Sequence, residues 1–175
     1  DQAQRLRQKN AELIAQSGAT MLVTSCPICY QSFIKEYHLG IPVVHHSEFI
    51  RALIAEGSIK VEPSELRVAY HDPCELGRGC GIYQEPRDVL ASVSQIVATQ
   101  HEREHSLCCG LNMGSITFTS DEKTQGRDKA IENLMENNPD MIATACPMCK
   151  KAFTHGTTLP VKDIAEIIAE KLKTD

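Results

Sequence analysis

Cys108, Cys109 and Gly110 are consecutive, and two adjacent cysteines are unusual in a soluble chain. Neighbouring side chains diverge, so a vicinal pair is poorly placed for a mutual disulfide. Both thiolates can, however, reach one multinuclear metal centre. Cys74 precedes the pair by 33 intervening residues, and Cys146-Pro147-Met148-Cys149 follows after 36. The pattern gathers five thiols for one site, whereas five unrelated buried cysteines, acting as small hydrophobes, would not need it. Thiolate-only sites select iron–sulfur clusters, zinc or Cu(I). A zinc site wants four ligands and would join Cys26, Cys29, Cys146 and Cys149, leaving the vicinal pair unexplained. A Cys-x-x-Cys alone also suits a dithiol–disulfide oxidoreductase.

The thiols need elements to hold them. Met21–Ser25, Leu66–Tyr70 and Met141–Ala145 read as short buried strands that run directly into Cys26, His71-Asp72-Pro73-Cys74 and Cys146. Pro27 and Pro147 suit the first turn of a following helix, the first extending to about Tyr37. A thiol at a helix N-terminus is biased towards thiolate, and the carboxyl ends of strands are where open α/β sheets bind ligands. Further expectations are strands over 41–45, 105–107 and 159–161. Helices are expected over 3–17, from a Ser47 cap to Gly57, from Pro86 with Val89, Leu90, Val93 and Val97 inward, and over 164–172. A Thr119–Glu122 capping box starts a helix with Ala130, Ile131, Leu134 and Met135 inward. The three glycines between Glu75 and Gly81 predict a loop, and 59–64 a linker. Gly110 and Gly114 leave room for the backbone to approach a bulky group. The fold class is α/β, with mainly parallel sheets flanked by helices.

Composition narrows the function. The chain has 175 residues, 42% hydrophobic and 5% aromatic, with net charge −5. It has no basic stripe for nucleic acid or an anionic membrane, no apolar run of transmembrane length and no signal-peptide pattern. Eight cysteines in a chain this well supplied with helix and strand patterns fit a reducing cytoplasm better than a disulfide scaffold.

An internal repeat lies at an offset of 120. Met21–Phe33 against Met141–Phe153 gives six identities in 13 positions. With a two-residue shift, Pro42-Val43 falls on Pro160-Val161, Glu48 on Glu166 and Ile50 on Ile168. Residues 1–57 therefore read as the back half of one unit and 58–175 as a complete second unit, pseudo-symmetric with the first. The chain starts at Asp1 rather than Met, and the repeat predicts that it is the C-terminal piece of a longer protein.

The cysteine pattern with its glycine, together with Tyr70-His71-Asp72-Pro73-Cys74-x-Leu76-Gly77-Arg78, resembles the cysteine-rich "CCG" domain. That repeat occurs in heterodisulfide reductase and in iron–sulfur subunits of glycolate oxidase, lactate-utilisation and anaerobic glycerol-3-phosphate dehydrogenase systems. The resemblance runs from about Ala19 to Leu172. It implies a [4Fe–4S] cluster, non-cubane in heterodisulfide reductase, held by Cys74, Cys108, Cys109, Cys146 and Cys149. Cys26 and Cys29 match the closing pair of a second site that is incomplete in this chain. It further implies a role in an oxidoreductase: electron transfer between a dehydrogenase or flavin-containing partner and an acceptor, or disulfide reduction at the cluster. The location implied is cytoplasmic, peripheral to a membrane through partner subunits. Glu75 stands where the family often has His or Tyr, Cys80 has no counterpart, and a ferredoxin-type cysteine run is not present. The alternative is a zinc-stabilised interaction module.

Other residues carry weaker expectations. His71 either hydrogen-bonds a cluster sulfide or caps a strand end. Asp72 reads as a turn residue before proline. Arg78 would balance cluster charge or bind an anion, against the commoner surface role. His45 and His46 read as structural, His101 and His105 as part of a solvated segment. Asn112 and Met113 are candidates to line the cluster pocket.

Overall fold

The computed structural model describes residues 2–111 and 117–173. Asn112, Met113 and Gly114 lie outside the described residues. The chain starts with α1 (Gln2–Gln16), followed by β1 (Leu22–Thr24), α2 (Pro27–Ser32), a π-helical turn (Phe33–Tyr37), β2 (Val43–His45) and α3 (His46–Ala55). It continues as β3 (Arg67–His71), α4 (Cys74–Cys80), α5 (Gln84–Ala91), β4 (Gln95–Val97) and a 3-10 turn (Arg103–His105). The last elements are α6 (Ser120–Met135), β5 (Met141–Thr144), α7 (Pro147–Thr154), β6 (Val161–Asp163) and α8 (Ile164–Glu170).

β1 and β2 form a parallel pair, and the other four strands form a parallel sheet ordered β4-β3-β5-β6. The sheet has helices on both faces because strand side chains alternate. Val68 and Tyr70 of β3 and Met141 and Ala143 of β5 face one layer, with Val89, Leu90, Ile164 and Ile167. Ala69 and Ile142 face the other, with Ala130, Ile131, Leu134 and Phe153. Cys109, Cys146 and Cys149 belong to this second layer.

Several expectations are corrected. The segment after Cys74 is helical, not a loop, because its glycines clear space for neighbours. A Cβ at Gly77 would lie 2.4 Å from the Tyr83 ring, and one at Gly79 would lie 2.2 Å from Gln31 Nε2. Gln31 uses that space to donate to Glu75 O and Oε2 at 2.9 and 3.0 Å. The helix expected from Pro86 begins at Gln84 and ends at Ala91, so Val93 lies past its end, and Val97 belongs to β4, a strand hidden by its chance helical spacing. Residues 105–107 are not a strand; the chain turns there instead, with Arg103 at φ 55°. Met135 is 42% exposed. β6 begins at Val161 rather than Leu159. His45, not Ser47, caps α3: its ring accepts from Ser47 N–H, while Glu48 Oε2 accepts from His45 N–H at 2.8 Å. The Thr119–Glu122 box is present as expected.

Candidate metal centre

β3 lies between β4 and β5, so the chain leaves it first to one side and later returns to the other. The crevice at such a switch point, beyond the strand carboxyl ends, is the usual ligand position in open parallel sheets. Cys74 follows β3 at the start of α4, and Cys146 follows β5 as the N-cap of α7, whose first turn carries Cys149. Cys108 and Cys109 arrive on the segment between the 3-10 turn and α6.

Buried polar contacts hold that segment. Asp72, 2% exposed, takes a bidentate pair of hydrogen bonds from Arg87 Nη1 and Nη2 at 2.5 and 2.8 Å. It also accepts from Arg103 N–H at 2.8 Å, and its carbonyl accepts from Ser106 Oγ at 2.9 Å. Arg87 stacks over the Tyr70 ring at 5.1 Å. Arg78 Nη1 donates to the carbonyls of Glu104 and Ser106 at 3.1 and 2.9 Å, tying α4 to the approach to Cys108. Asp72 and Arg78 are therefore structural supports. Sequence reasoning missed Arg87; a lone arginine on an otherwise apolar helix face was its only signal.

All eight cysteines are free thiols. Five are linked by hydrogen-bonding contacts in the order Cys74, Cys108, Cys109, Cys149, Cys146. Contacts with Cys109 and Cys74 hold Cys108 well below the usual thiol range. The same contacts push Cys74 and Cys109 up. Cys149, within reach of Cys109 and Cys146, is also pushed up. Cys146 is lowered to about 7, first by Cys149 and then by backbone N–H groups at the α7 N-terminus, against its burial. A cavity of about 20 Å³ lies among Cys74, Cys109, Cys146 and Cys149, bordered by Ile28 and Met148. Among the described residues, no three His, Cys, Asp or Glu side chains are grouped to hold a single metal ion.

The remaining candidates are placed elsewhere. Cys29 is exposed; its thiol is raised by Cys26 and more weakly by Cys146, and its N–H points at Cys26 Sγ at 3.5 Å. Cys80 Sγ donates to Glu75 O at 3.1 Å, closing its own helix. His71 is buried edge-on against Phe153, with ring centroids 4.6 Å apart, and its Nε2 has no hydrogen-bond partner. Burial lowers its pKa to about 4, although Asp72 and Cys108 pull the other way. His45 and His46 are structural: His45 Nε2 meets His46 Nδ1 at 3.3 Å, and His46 Nε2 meets Asp163 Oδ1 at 2.8 Å. Asp163 caps α8 just as His45 caps α3. His101 is tied through its backbone to Asn133, and His105 is exposed.

The cysteine-rich domain family matches residues 1–34 and 68–154. One of the subunits of the dihydromethanophenazine:CoB–CoM heterodisulfide reductase of Methanosarcina acetivorans is 30% identical over 98% of this chain and 46% of its own length. The EtfAB:quinone oxidoreductase of Syntrophomonas wolfei is 30% identical over 94% of this chain and 26% of its own. A probable membrane-anchored ferredoxin of Chromohalobacter salexigens is 32% identical over 97% and 28%. The chain thus spans less than half the length of these relatives. With its Cys-Cys-Gly segment and closing Cys-x-x-Cys at the switch point of a parallel sheet, this chain belongs to the cysteine-rich domain family.

Proposed function

We propose that this chain is an iron–sulfur domain of an oxidoreductase, with Cys74, Cys108, Cys109, Cys146 and Cys149 as the ligands. The observation that carries the reading is the convergence of four of these thiols, from three separate segments, on one crevice, with Cys108 coupled to Cys74 and Cys109 beside it. Their electrostatics agree. Cys74, Cys109 and Cys149 resist ionisation while Cys108 and Cys146 favour it, so the group cannot ionise fully without cations among the sulfurs. Bound metal reverses that preference. A cavity of about 20 Å³ has room for about one water, so taking up a cluster requires the sulfurs to spread. The orphaned His71 Nε2, electrostatically coupled to Cys108, would gain a partner there.

When bound, such a cluster supplies one-electron redox chemistry. Residues 58–175 would be a complete unit and 1–57 the back half of another, with Cys26 and Cys29 closing a second site. The relatives are named as heterodisulfide reductase, quinone oxidoreductase and ferredoxin proteins. By analogy the partners would be other subunits or domains of an oxidoreductase complex, a flavin protein among them. The chain would pass electrons to an acceptor or reduce a disulfide at the cluster, on the cytoplasmic side of a membrane. Among the described residues, no helix is long and apolar enough to cross one.

Anaerobic reconstitution followed by iron, acid-labile sulfide and EPR measurement tests the reading. Iron and sulfide near four each per chain are expected for a [4Fe–4S] cluster, and a C108S/C109S variant should lose them. Folded protein that takes up no iron, or iron uptake unchanged in the variant, would overturn it.

A further inference from the structure

Cys109 borders a second and larger cavity of about 240 Å³, between the start of α6 and the exposed side of α7. Its buried wall is Cys109, Gly110 and Ala152, and its other side carries Lys123, Arg127 and Lys151. Among the described residues no carboxylate lines it, although acidic residues outnumber Lys and Arg by 23 to 18 in the whole chain. Two nearby acids already have partners. Glu122 is committed to the α6 capping box, and Asp128 pairs with Arg127 at 2.7 Å. Among the described residues, neither Lys123 nor Lys151 has an ion pair, whereas Lys150, next to Lys151, is paired with Glu166 at 2.6 Å.

Two glycines shape the cavity. Gly110 has φ 84°, and a Cβ there would lie 2.3 Å from the Lys123 carbonyl, so the first turns of α6 press directly onto the cysteine pair. A Cβ at Gly156 would lie 2.7 Å from Arg127 Nε and 2.5 Å from Ile131 Cδ1, so Arg127 packs against bare backbone. The glycine after the cysteine pair thus brings a lysine-bearing turn against the thiol wall.

We infer that this cavity binds a small organic anion beside the cysteine cluster, with its oxyanion head on Lys123 and Lys151 and its uncharged body along Ala152 towards Cys109. Carboxylate and phosphate heads share this chemistry. The volume lies below the range of about 300–1,000 Å³ for drug-sized ligands, which limits the ligand to a small molecule. Binding itself does not depend on the cluster; only an effect of the bound anion on the metal rests on the proposed function.

The test is calorimetric titration of the reconstituted protein with butyrate and, separately, with inorganic phosphate. It is run on the wild type, a Lys123→Gln/Lys151→Gln double variant and a Lys150→Gln control, with circular dichroism to confirm folding. At least one anion should bind, more weakly at high salt. Its affinity should fall at least about tenfold in the double variant, as expected on losing charge-assisted hydrogen bonds, and stay unchanged in the control. Binding by butyrate alone identifies a carboxylate ligand, and by phosphate alone a phosphate ligand. Failure of both to bind, or equal binding by the double variant, overturns the inference. Lysine-dependent binding in protein that takes up no iron would leave the pocket standing and remove the cluster reading.

Discussion

Residues 22–55 run strand, Cys-Pro-x-Cys helix, strand, capped helix as β1, α2, β2 and α3; residues 141–170 repeat that order as β5, α7, β6 and α8. The strand pairing is parallel in both. In both, a capping box starts the last helix, at His45 with Glu48 and at Asp163 with Glu166. The surroundings differ. β5 lies between β3 and β6 and is buried throughout, while β1 pairs only with β2 among the described residues. Met141 is 7% exposed and Met21 40%. Cys149 is buried and Cys29 exposed. The motif sets each pair of thiols at a helix start and couples its two members; the further coupling to Cys109 reaches only the second pair.

The largest expected contrast is between those pairs. Cys149→Ser should abolish most iron uptake on anaerobic reconstitution, while Cys29→Ser should leave iron per chain within about a tenth of wild type. Equal loss in both would place the two pairs at a single shared site.

Asp72 tests whether the support beneath the cysteine pair is specific to the second region, since the first has no such ion pair in its described part. Asp72→Ala leaves the Arg87 guanidinium buried without its main partner. It should cost about 3–5 kcal/mol, read from urea unfolding of the metal-free protein. A cost under about 1 kcal/mol would show that Glu102, 3.2 Å from Arg87 Nη2, takes over.

The glycines separate backbone strain from crowding. Gly18, after α1, has φ 71° and open space around it, while Gly110 has φ 84° and a carbonyl where its Cβ would be. Gly18→Ala should cost about 1 kcal/mol from conformation alone. Gly110→Ala should cost about 2–4 kcal/mol, because overpacking adds to that strain. Matching thermal shifts in the two variants would remove the crowding argument.

The smallest effect at neutral pH concerns the two caps. Burial lowers the His45 pKa to about 3, from an ordinary 6.5. The unfolded chain therefore takes up a proton between pH 6.5 and 3 that the folded chain refuses, and stability falls as pH drops through that window. His71, lowered to about 4, adds a loss of the same sign. His45→Asn keeps a capping side chain and removes one titration. It should change stability by only about 1 kcal/mol at pH 7.5 and move the acid unfolding midpoint of the metal-free protein to lower pH. An unmoved midpoint would assign the acid sensitivity elsewhere.

The sequence was most legible where chemistry is local. Strand ends running into cysteines, prolines at helix starts and the Thr119–Glu122 box all depend on neighbours in the chain, and each is present in the fold. The errors lie where distant residues decide. The glycines of α4 look like breakers until Tyr83 and Gln31 are seen to occupy the space they leave. Val97 fits a helical stripe until β3 claims it as a strand partner. Arg87 is one arginine among many until Asp72 is buried against it.

Cysteine identities and spacings alone singled out the side chains proposed to share a site, because soft thiolates in that number have few other uses. The alternation of strands and helices determined that the sheet would be parallel, since short α/β crossovers leave little choice. Only the tertiary structure decided which Cys-x-x-Cys is buried, which thiols are coupled to one another and where a cationic pocket opens beside Cys109. Those properties depend on desolvation and on charges within a few ångströms, and neither is encoded by position along the chain.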